Sequence, residues 1–177
     1  MKKLLSTVAV LSFAAAAFAQ TPVVESEANN SVGAANFISS ALYPTAAVAI
    51  DGSLNPGDVD YFSFDLAQGD RVAVATYDFA GPNVSNLDTL LGVFGPGGAL
   101  FDSDDDDNIG FLSAYQFVVP TSGRWSFAVS GFGDSDFNGT GHTEEGDYKF
   151  VFAINPIPEP ASLSLLALGA LAALRRR

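Results

Sequence analysis

The chain has 177 residues, enough for one domain with additional segments at its ends, and 15 Phe, 5 Tyr and 1 Trp can fill a core. It has no cysteine, which excludes a disulfide framework and a thiolate metal site. Between Gln20 and Pro156 there are 19 acidic residues and only three basic ones, a net charge of −16. Such a surface repels phosphate backbones, so we expect no nucleic-acid partner.

Residues 1–19 predict a secretory signal peptide. Two lysines precede an apolar run over residues 4–18. The run ends in the small-x-small pattern of Ala17 and Ala19, directly before Gln20. We therefore expect cleavage after Ala19, a mature chain that begins at Gln20, and a location outside the cytoplasm.

The segment over residues 47–155 predicts a β-structure, and the polar, irregular residues 20–46 lead into it. Phe62, Phe64 and Leu66 alternate with polar side chains, and a Gly-Asp turn joins this strand to the next, over 71–76. Further strands are predicted at 47–50, 89–94, 99–101, 115–119, 124–130 and 148–154, with glycines and prolines between them. About eight such strands without a convincing helix predict an all-β antiparallel β-sandwich.

Several motifs in this segment resemble one family. In chain order they are Glu-x-Glu-x-Asn-Asn, Gly-Asp-Val-Asp-Tyr-Phe-Ser-Phe, Leu-Asp-Thr-Leu-Leu, an Asp-rich loop, Ser-Gly-Arg-Trp and Gly-Asp-Tyr-Lys-Phe. Over residues 25–154 they resemble the bacterial pre-peptidase C-terminal (PPC) domain. The resemblance implies a jelly-roll-like sandwich and, in some members, calcium binding and adhesion to protein or polysaccharide. No peptidase domain accompanies it in this sequence, so we expect no accessory role for an enzyme on the same polypeptide.

Two sets of oxygen donors are candidates for calcium. The loop from Asp134 fits the spacing D-x-D-x-N-G-x5-E, with Asp136, Asn138, Thr140 and Glu145 as further donors. Because both flanks are predicted strands, the loop is not an EF-hand; an EF-like calcium loop and a solvated hairpin loop both stay open. The PPC resemblance implies a second set, and which of its members share one ion also stays open. Its members are Glu25, Glu27, Asn29, Asn30, Asp58 and Asp60.

The residue list does not predict an enzyme. The single histidine, His142, lies in a Gly- and Thr-rich loop where we expect it to be solvated, and no Gly-x-Ser-x-Gly elbow presents a serine. Carboxylates are abundant, and the run over 102–108 is especially acidic, although it lacks the Gly and Glu of a calcium loop. In such loops water keeps carboxylates ionised, the wrong state for the general acid of a glycoside hydrolase.

Residues 156–177 end the chain with three parts in a set order. Pro-Glu-Pro comes first, an apolar stretch over 161–174 follows, and an arginine cluster comes last; the residues are Pro158, Glu159, Pro160, Arg175, Arg176 and Arg177. As a transmembrane helix the apolar stretch would span about 21 Å, short of a bilayer core of roughly 30 Å. The arginines should stay in the cytoplasm, leaving the domain outside. We therefore expect a temporary anchor, the alternatives being a permanent anchor or a core helix.

This tail resembles the PEP-CTERM sorting signal. The resemblance implies that an exosortase, a membrane transpeptidase, removes the tail during export, so that the chain is held in the inner membrane only transiently. It also implies a Gram-negative bacterium that makes extracellular polysaccharide. Whether the processed protein stays on the cell or is released is left open.

Together these observations predict an exported, non-catalytic protein of the cell surface or the extracellular matrix. It would be a calcium-stabilised module that binds biofilm polysaccharide or a surface protein, through loops or exposed aromatics such as Tyr61, Tyr77 or Phe132. One alternative is a structural matrix protein without a selective ligand. Another is a secreted carboxylate-dependent glycoside hydrolase.

Overall fold

The computed structural model describes residues 23–42, 47–79 and 87–155, which form two five-stranded sheets packed as a sandwich. The predicted signal peptide, with its junction at Ala17, Ala19 and Gln20, lies outside these residues, and so does the tail over 156–177. Within the described ranges, no helix is long and apolar enough to cross a membrane.

Ten strands build the two sheets. In chain order they are β1 Val23–Val24, β2 Asn36–Phe37, β3 Ala47–Leu54, β4 Asp60–Leu66, β5 Arg71–Asp78, β6 Thr89–Phe94, β7 Leu100–Asp104, β8 Ala114–Val118, β9 Gly123–Gly131 and β10 Gly146–Asn155. One sheet has the order β1-β3-β10-β5-β8 and the other the order β2-β4-β9-β6-β7. The short strands β1 and β2 pair parallel with β3 and β4, and the other pairs are antiparallel.

The all-β antiparallel sandwich predicted from the sequence is confirmed. Each predicted strand occurs, with ends that differ by a few residues. The sequence missed β1 and β2, which lie in the segment interpreted as irregular. Each has only two residues, too few for an alternation of polar and apolar side chains to be visible.

An aromatic core lies between the sheets. Phe64 of β4 stacks on Phe152 of β10 with ring centroids 3.9 Å apart, and Phe127 of β9 meets it edge-on at 5.6 Å. Phe62 stacks in the same way on Phe150, at 5.1 Å. All five side chains are fully buried, and they come from the predicted inward positions of strands with a period of two.

The outer face of β4 is also buried, which the sequence did not predict. Tyr61 was expected among the exposed aromatics, but it is only 4% exposed and its hydroxyl donates to the Phe137 carbonyl at 3.0 Å. Phe137 comes from the β9–β10 loop and packs over this face together with Val59 and Phe94. Gly92 makes room for it, because a Cβ there would lie 2.7 Å from the Phe137 ring. Burial and nearby carboxylates raise the pKa of Tyr61 to about 12.

We expect Phe64→Ala to lower the free energy of unfolding by about 3–5 kcal/mol, since it leaves a cavity between both sheets. The control is Val118→Ala, at a side chain that is 57% exposed, where the change should stay within about 0.5 kcal/mol. Urea denaturation followed by Trp125 fluorescence measures both. Equal midpoints for the two variants would contradict this placement of the core.

Candidate metal centre

One end of the sandwich collects most of the acidic side chains. Strands β3, β5, β7 and β9 end there and β4, β6, β8 and β10 begin there, so the acidic loops and the segment from Glu25 to Asn30 meet at this end. We call it the loop end. The two arginines of the described ranges, Arg71 and Arg124, lie at the opposite end. The charge of the domain is therefore strongly polarised.

Glu25 is held against β3 by the chain that follows β1. Its N–H donates to the Asp51 carbonyl at 3.0 Å, and its Oε1 accepts from the Ser53 N–H at 2.6 Å. Its second oxygen, Oε2, is buried and accepts from no N–H or hydroxyl among the described residues, which leaves the neighbouring Asp60 carboxyl as its hydrogen-bond partner. The backbone thus fixes this carboxylate in place beside Asp60.

Asp60, the first residue of β4, is fully buried beside Glu25. Its Oδ2 accepts a hydrogen bond from the Tyr148 hydroxyl at 2.7 Å, which joins the two sheets. The Tyr148 ring lies across Gly52 of β3, where a Cβ would come within 2.5 Å of the ring. Sequence reasoning assigned Tyr148 to the core and did not single out Gly52. Gly52 lies beyond the strand predicted at 47–50, and only the observed β3, which runs to Leu54, shows a glycine inside a strand, where another group can approach the backbone closely.

Asn29 closes the group from the N-terminal side. The residue is fully buried, and one end atom of its amide lies 3.2 Å from Asp60 Oδ1 and 3.2 Å from Glu27 Oε2. A nitrogen in that position donates to both carboxylates. An oxygen in that position faces two carboxylates and requires a proton or a cation between them.

The structure thus brings together most of the set implied by the PPC resemblance. Carboxylate oxygens of Glu25, Glu27 and Asp60 lie within 4.8 Å of one another. Asn30 and Asp58 border this group and bond to each other, Nδ2 to Oδ1, at 3.0 Å. The arrangement joins an N-terminal segment to the start of β4, two regions about 30 residues apart in sequence.

Burial makes these carboxylates hard to ionise. It raises the pKa of Asp60 to about 9, and the charges of Glu25 and Asp58 add to the rise while the Tyr148 hydrogen bond opposes it. Burial likewise raises the pKa of Glu25 and of Glu27. The expectation that water keeps the carboxylates ionised is therefore wrong for Asp60, because the folded chain removes it from water, whereas Glu27 stays exposed.

A second carboxylate group lies at the same end. Oxygens of Asp88, Asp105 and Asp106 lie within 4.8 Å of one another. Burial and the neighbouring carboxylates raise the pKa of Asp88 to about 6. The sequence drew attention to the acidic run but not to Asp88, which joins it only because the loop before β8 folds back towards the start of β6.

In the loop from Asp134, several of the predicted calcium donors form hydrogen bonds within the loop and with the end of β9. Asp134 is fully buried, and its Oδ2 accepts from the Ser130 hydroxyl at 2.6 Å and from the Gly139 N–H at 2.9 Å. In the same loop, the Asn138 amide donates to Asp136 at 2.6 Å. Thr140 bonds to Asn138, another member of this donor set, and Glu145 is exposed. These contacts favour the hairpin-loop interpretation.

His142 is buried, so the expectation of a solvated histidine is wrong. It is 7% exposed, and its Nε2 lies 2.9 Å from the Asp58 carbonyl oxygen. The loop folds back onto Gly131, where a Cβ would come within 2.4 Å of the histidine Nδ1. Sequence cannot reveal this, because the contact depends on how a long loop returns to its own strand.

Comparison with known families identifies the tail. Residues 156–177 match the PEP-CTERM protein-sorting motif, as the order of Pro-Glu-Pro, apolar stretch and arginines predicted. This signal marks an exported, cell-surface protein that an exosortase processes. No curated protein matches the sequence significantly.

Solved structures with a similar fold include three proteins of different origin. They are a periplasmic inhibitor of g-type lysozyme, PliG from Aeromonas hydrophila (17% identity, 68% of this chain and 96% of that one, TM-score 0.49), the pre-peptidase C-terminal domain of collagenase from Bacillus anthracis (15%, 68% and 94%, 0.44), and the Yersinia pseudotuberculosis-derived mitogen (14%, 66% and 92%, 0.44). The neighbours thus include a PPC domain, the family that the motifs resemble. Likenesses of this size imply nothing about activity or ligands.

We expect the calcium-free protein to lose stability as the pH rises from about 4 to about 9. The pKa of Asp60 is about 9 in the folded chain and about 3.9 in an unfolded one, so the folded state binds the extra proton over this window. Asp60→Asn should flatten this fall, since an amide keeps an acceptor for Tyr148 without a titrating group. Urea denaturation in a chelator at stepped pH measures the slope.

The control is Asp65→Asn at the opposite end. The Arg124 hydrogen bond lowers the pKa of Asp65, so this carboxylate contributes stability of the opposite pH dependence, present above about pH 4. The fall between pH 4 and 9 should persist in that variant. A wild-type slope in Asp60→Asn would show that Asp60 is not the group responsible.

Proposed function

We propose that this chain is an exported, non-catalytic module of the cell surface or extracellular matrix, stabilised by calcium at its loop end and bound to extracellular polysaccharide. One observation carries the proposal. Carboxylates of Glu25, Glu27 and Asp60 converge with the buried Asn29 amide, and no basic side chain of the described residues forms an ion pair with them. Lys149 and Arg124 form ion pairs with other carboxylates, those of Asp51 and Asp65.

Calcium fits this donor set. It takes six to eight oxygen ligands at about 2.3–2.6 Å, from carboxylates, amides and carbonyls. Glu25 offers an oxygen that accepts from no N–H or hydroxyl of the described residues, and Asn30 and Asp58 lie beside the group as further oxygen ligands. A bound divalent cation would neutralise the buried charge and tie the N-terminal segment to β4. Asp60 is fully buried, which argues against contact with a glycosidic bond and hence against a role as a general acid.

A groove on the outer face of the β10-β5-β8 sheet is the surface we assign to polysaccharide. It has a volume of about 510 Å³, with a floor of alanine and valine side chains, and Tyr77, Asp107 and Gln116 line it. Tyr77 is 42% exposed, and an exposed tyrosine ring beside polar groups suits the apolar face and the hydroxyls of a sugar. The net charge disfavours an acidic polymer, so we assign a neutral one.

The sorting tail supports a route of export to the cell surface or the matrix. During export the chain is held transiently in the inner membrane by residues 161–174, and the exosortase then separates the domain from the arginine cluster. Release into a polysaccharide matrix matches a folded part whose surface is strongly acidic and resists self-association.

We expect calcium at about 100 times its dissociation constant to stabilise the protein by about 2.7 kcal/mol and to raise its melting temperature by roughly 5–10 °C. Glu27→Gln should abolish this shift, because it removes a carboxylate of the group. The matched control is Asp136→Asn in the hairpin loop, which should keep the shift. Differential scanning calorimetry in calcium and in chelator measures it. Identical melting curves, with no heat on calcium titration, would refute the calcium site.

We expect the Tyr77→Ala variant to bind neutral polysaccharide at least about tenfold more weakly than the wild type, since one central aromatic often dominates such contacts. Tyr77→Phe keeps the ring and should retain most of the binding, and Val118→Ala should bind like the wild type. Affinity electrophoresis in gels of neutral and acidic polysaccharides measures retention. No retention in any gel would favour the structural matrix alternative, and turnover of the polymer would favour a hydrolase.

A further inference from the structure

Two half-exposed phenylalanines flank the second carboxylate group at the loop end. The Phe111 carbonyl accepts from the Thr89 N–H at 3.0 Å, and the Phe132 N–H donates to the Asp88 carbonyl at 3.0 Å. The two side chains are 56% and 57% exposed, and Ile109, at 53%, lies in the same loop as Phe111. We call these three apolar residues, with Asp88, Asp105 and Asp106, the loop-end patch.

Within residues 23–42, 47–79 and 87–155, no basic side chain forms an ion pair with the carboxylates of this patch. Buried oxygens of Asp88 and Asp105, Oδ1 in each, have no hydrogen-bond partner within the described part of the chain. Two acidic neighbours of Asp88 and the Glu144 charge repel its ionised form. A positive group placed here would therefore gain interaction with three carboxylates at once.

We infer that the loop-end patch docks a basic polypeptide surface, on which a Lys or Arg side chain lies beside apolar residues. The ammonium or guanidinium group would meet the carboxylates, while its aliphatic stem and neighbours pack on Phe111 and Phe132. This partner is additional to the polysaccharide proposed for the groove, and it binds a different surface.

The composition of the patch selects this occupant over others. A bare metal ion uses the carboxylates but gains nothing from exposed phenyl rings, and a neutral sugar needs no group of three carboxylates. An anionic lipid surface is repelled by a net charge of −16. The chain itself places cations on phenyl rings: Lys149 Nζ lies 4.4 Å from the centre of the Phe79 ring, close to the same end.

The distribution of charge over the whole domain also favours binding of a basic partner at the loop-end patch. Because the acidic side chains gather at the loop end and both arginines lie at the other, a basic partner approaches the patch and not the far side. Association should therefore be fast at low salt and weaken as the ionic strength rises, whereas the apolar contacts persist.

The test is a titration of the full-length protein with a synthetic peptide of alternating Arg and Leu, by fluorescence anisotropy at two salt concentrations. Matched peptides alternate Arg with Ser and Glu with Leu. We expect the Arg-Leu peptide to bind, the Arg-Ser peptide to bind at least about tenfold more weakly, and the Glu-Leu peptide not to bind. Binding of both arginine peptides with equal affinity would overturn the inference, since charge alone would then explain it.

Variants locate the site. Phe111→Ser with Phe132→Ser, and separately Asp105→Asn with Asp106→Asn, should each lower the affinity at least about tenfold. Controls are Leu100→Ser, which is 47% exposed on β7, and Asp65→Asn at the far end; both should bind like the wild type. Because each pair tests the site by different chemistry, one misfolded variant leaves the other decisive.

Two further arms separate the alternatives. Calcium alone is titrated into the wild type and into Asp105→Asn with Asp106→Asn, and vesicles of phosphatidylglycerol are added in place of peptide. Equal calcium binding by the two proteins and no vesicle binding support the inference. If the double variant loses the heat of calcium binding that the wild type shows, and its affinity for the peptide is unchanged, the patch is a metal site and the inference is overturned. Vesicle binding without peptide binding would make it a lipid site.

Discussion

The hydrogen bond from Tyr148 to Asp60 is the contact on which the loop end depends. It crosses from β10 in one sheet to β4 in the other, and it places a carboxylate where no water reaches it. The bond requires that the tyrosine ring lie flat over Gly52, so a backbone position without a side chain is part of the same arrangement. Burial and the Asp60 carboxylate hold the pKa of Tyr148 well above its ordinary value, so its hydroxyl stays a donor.

The interior of the domain is apolar on one side of this contact and rich in carboxylates on the other. Away from the loop end, stacked phenyl rings fill the space between the sheets, and burial of apolar area stabilises the fold. At the loop end, carboxylates approach one another with few opposite charges, which lowers stability unless protons or cations balance them. The aromatic core therefore supports a local arrangement that would not be stable alone, as ligand-binding sites commonly require.

The sequence predicted much of the fold because period two is a local signal. Phe62, Phe64, Phe150 and Phe152 take the inward positions that alternation assigned to them. The PPC resemblance implied a set of six oxygen donors to which Glu25, Glu27 and Asp60 belong, but it left open which of them lie together. The alternation failed for Tyr61, because a loop that returns from far along the chain covers the outer face of its strand, while the inner face packs against the other sheet.

The sequence alone determined the class of fold, the strands of the core and the sorting tail. Each of these depends on residues that are neighbours in sequence. Which carboxylates meet, and what protonation they favour, followed from the packing of one sheet on the other. No local feature of the sequence indicates the raised pKa of Asp60 or of Asp88, because burial and repulsion arise from groups distant in sequence. Electrostatic environment is a property of three-dimensional neighbours, and so the character of the loop end could only come from the folded molecule.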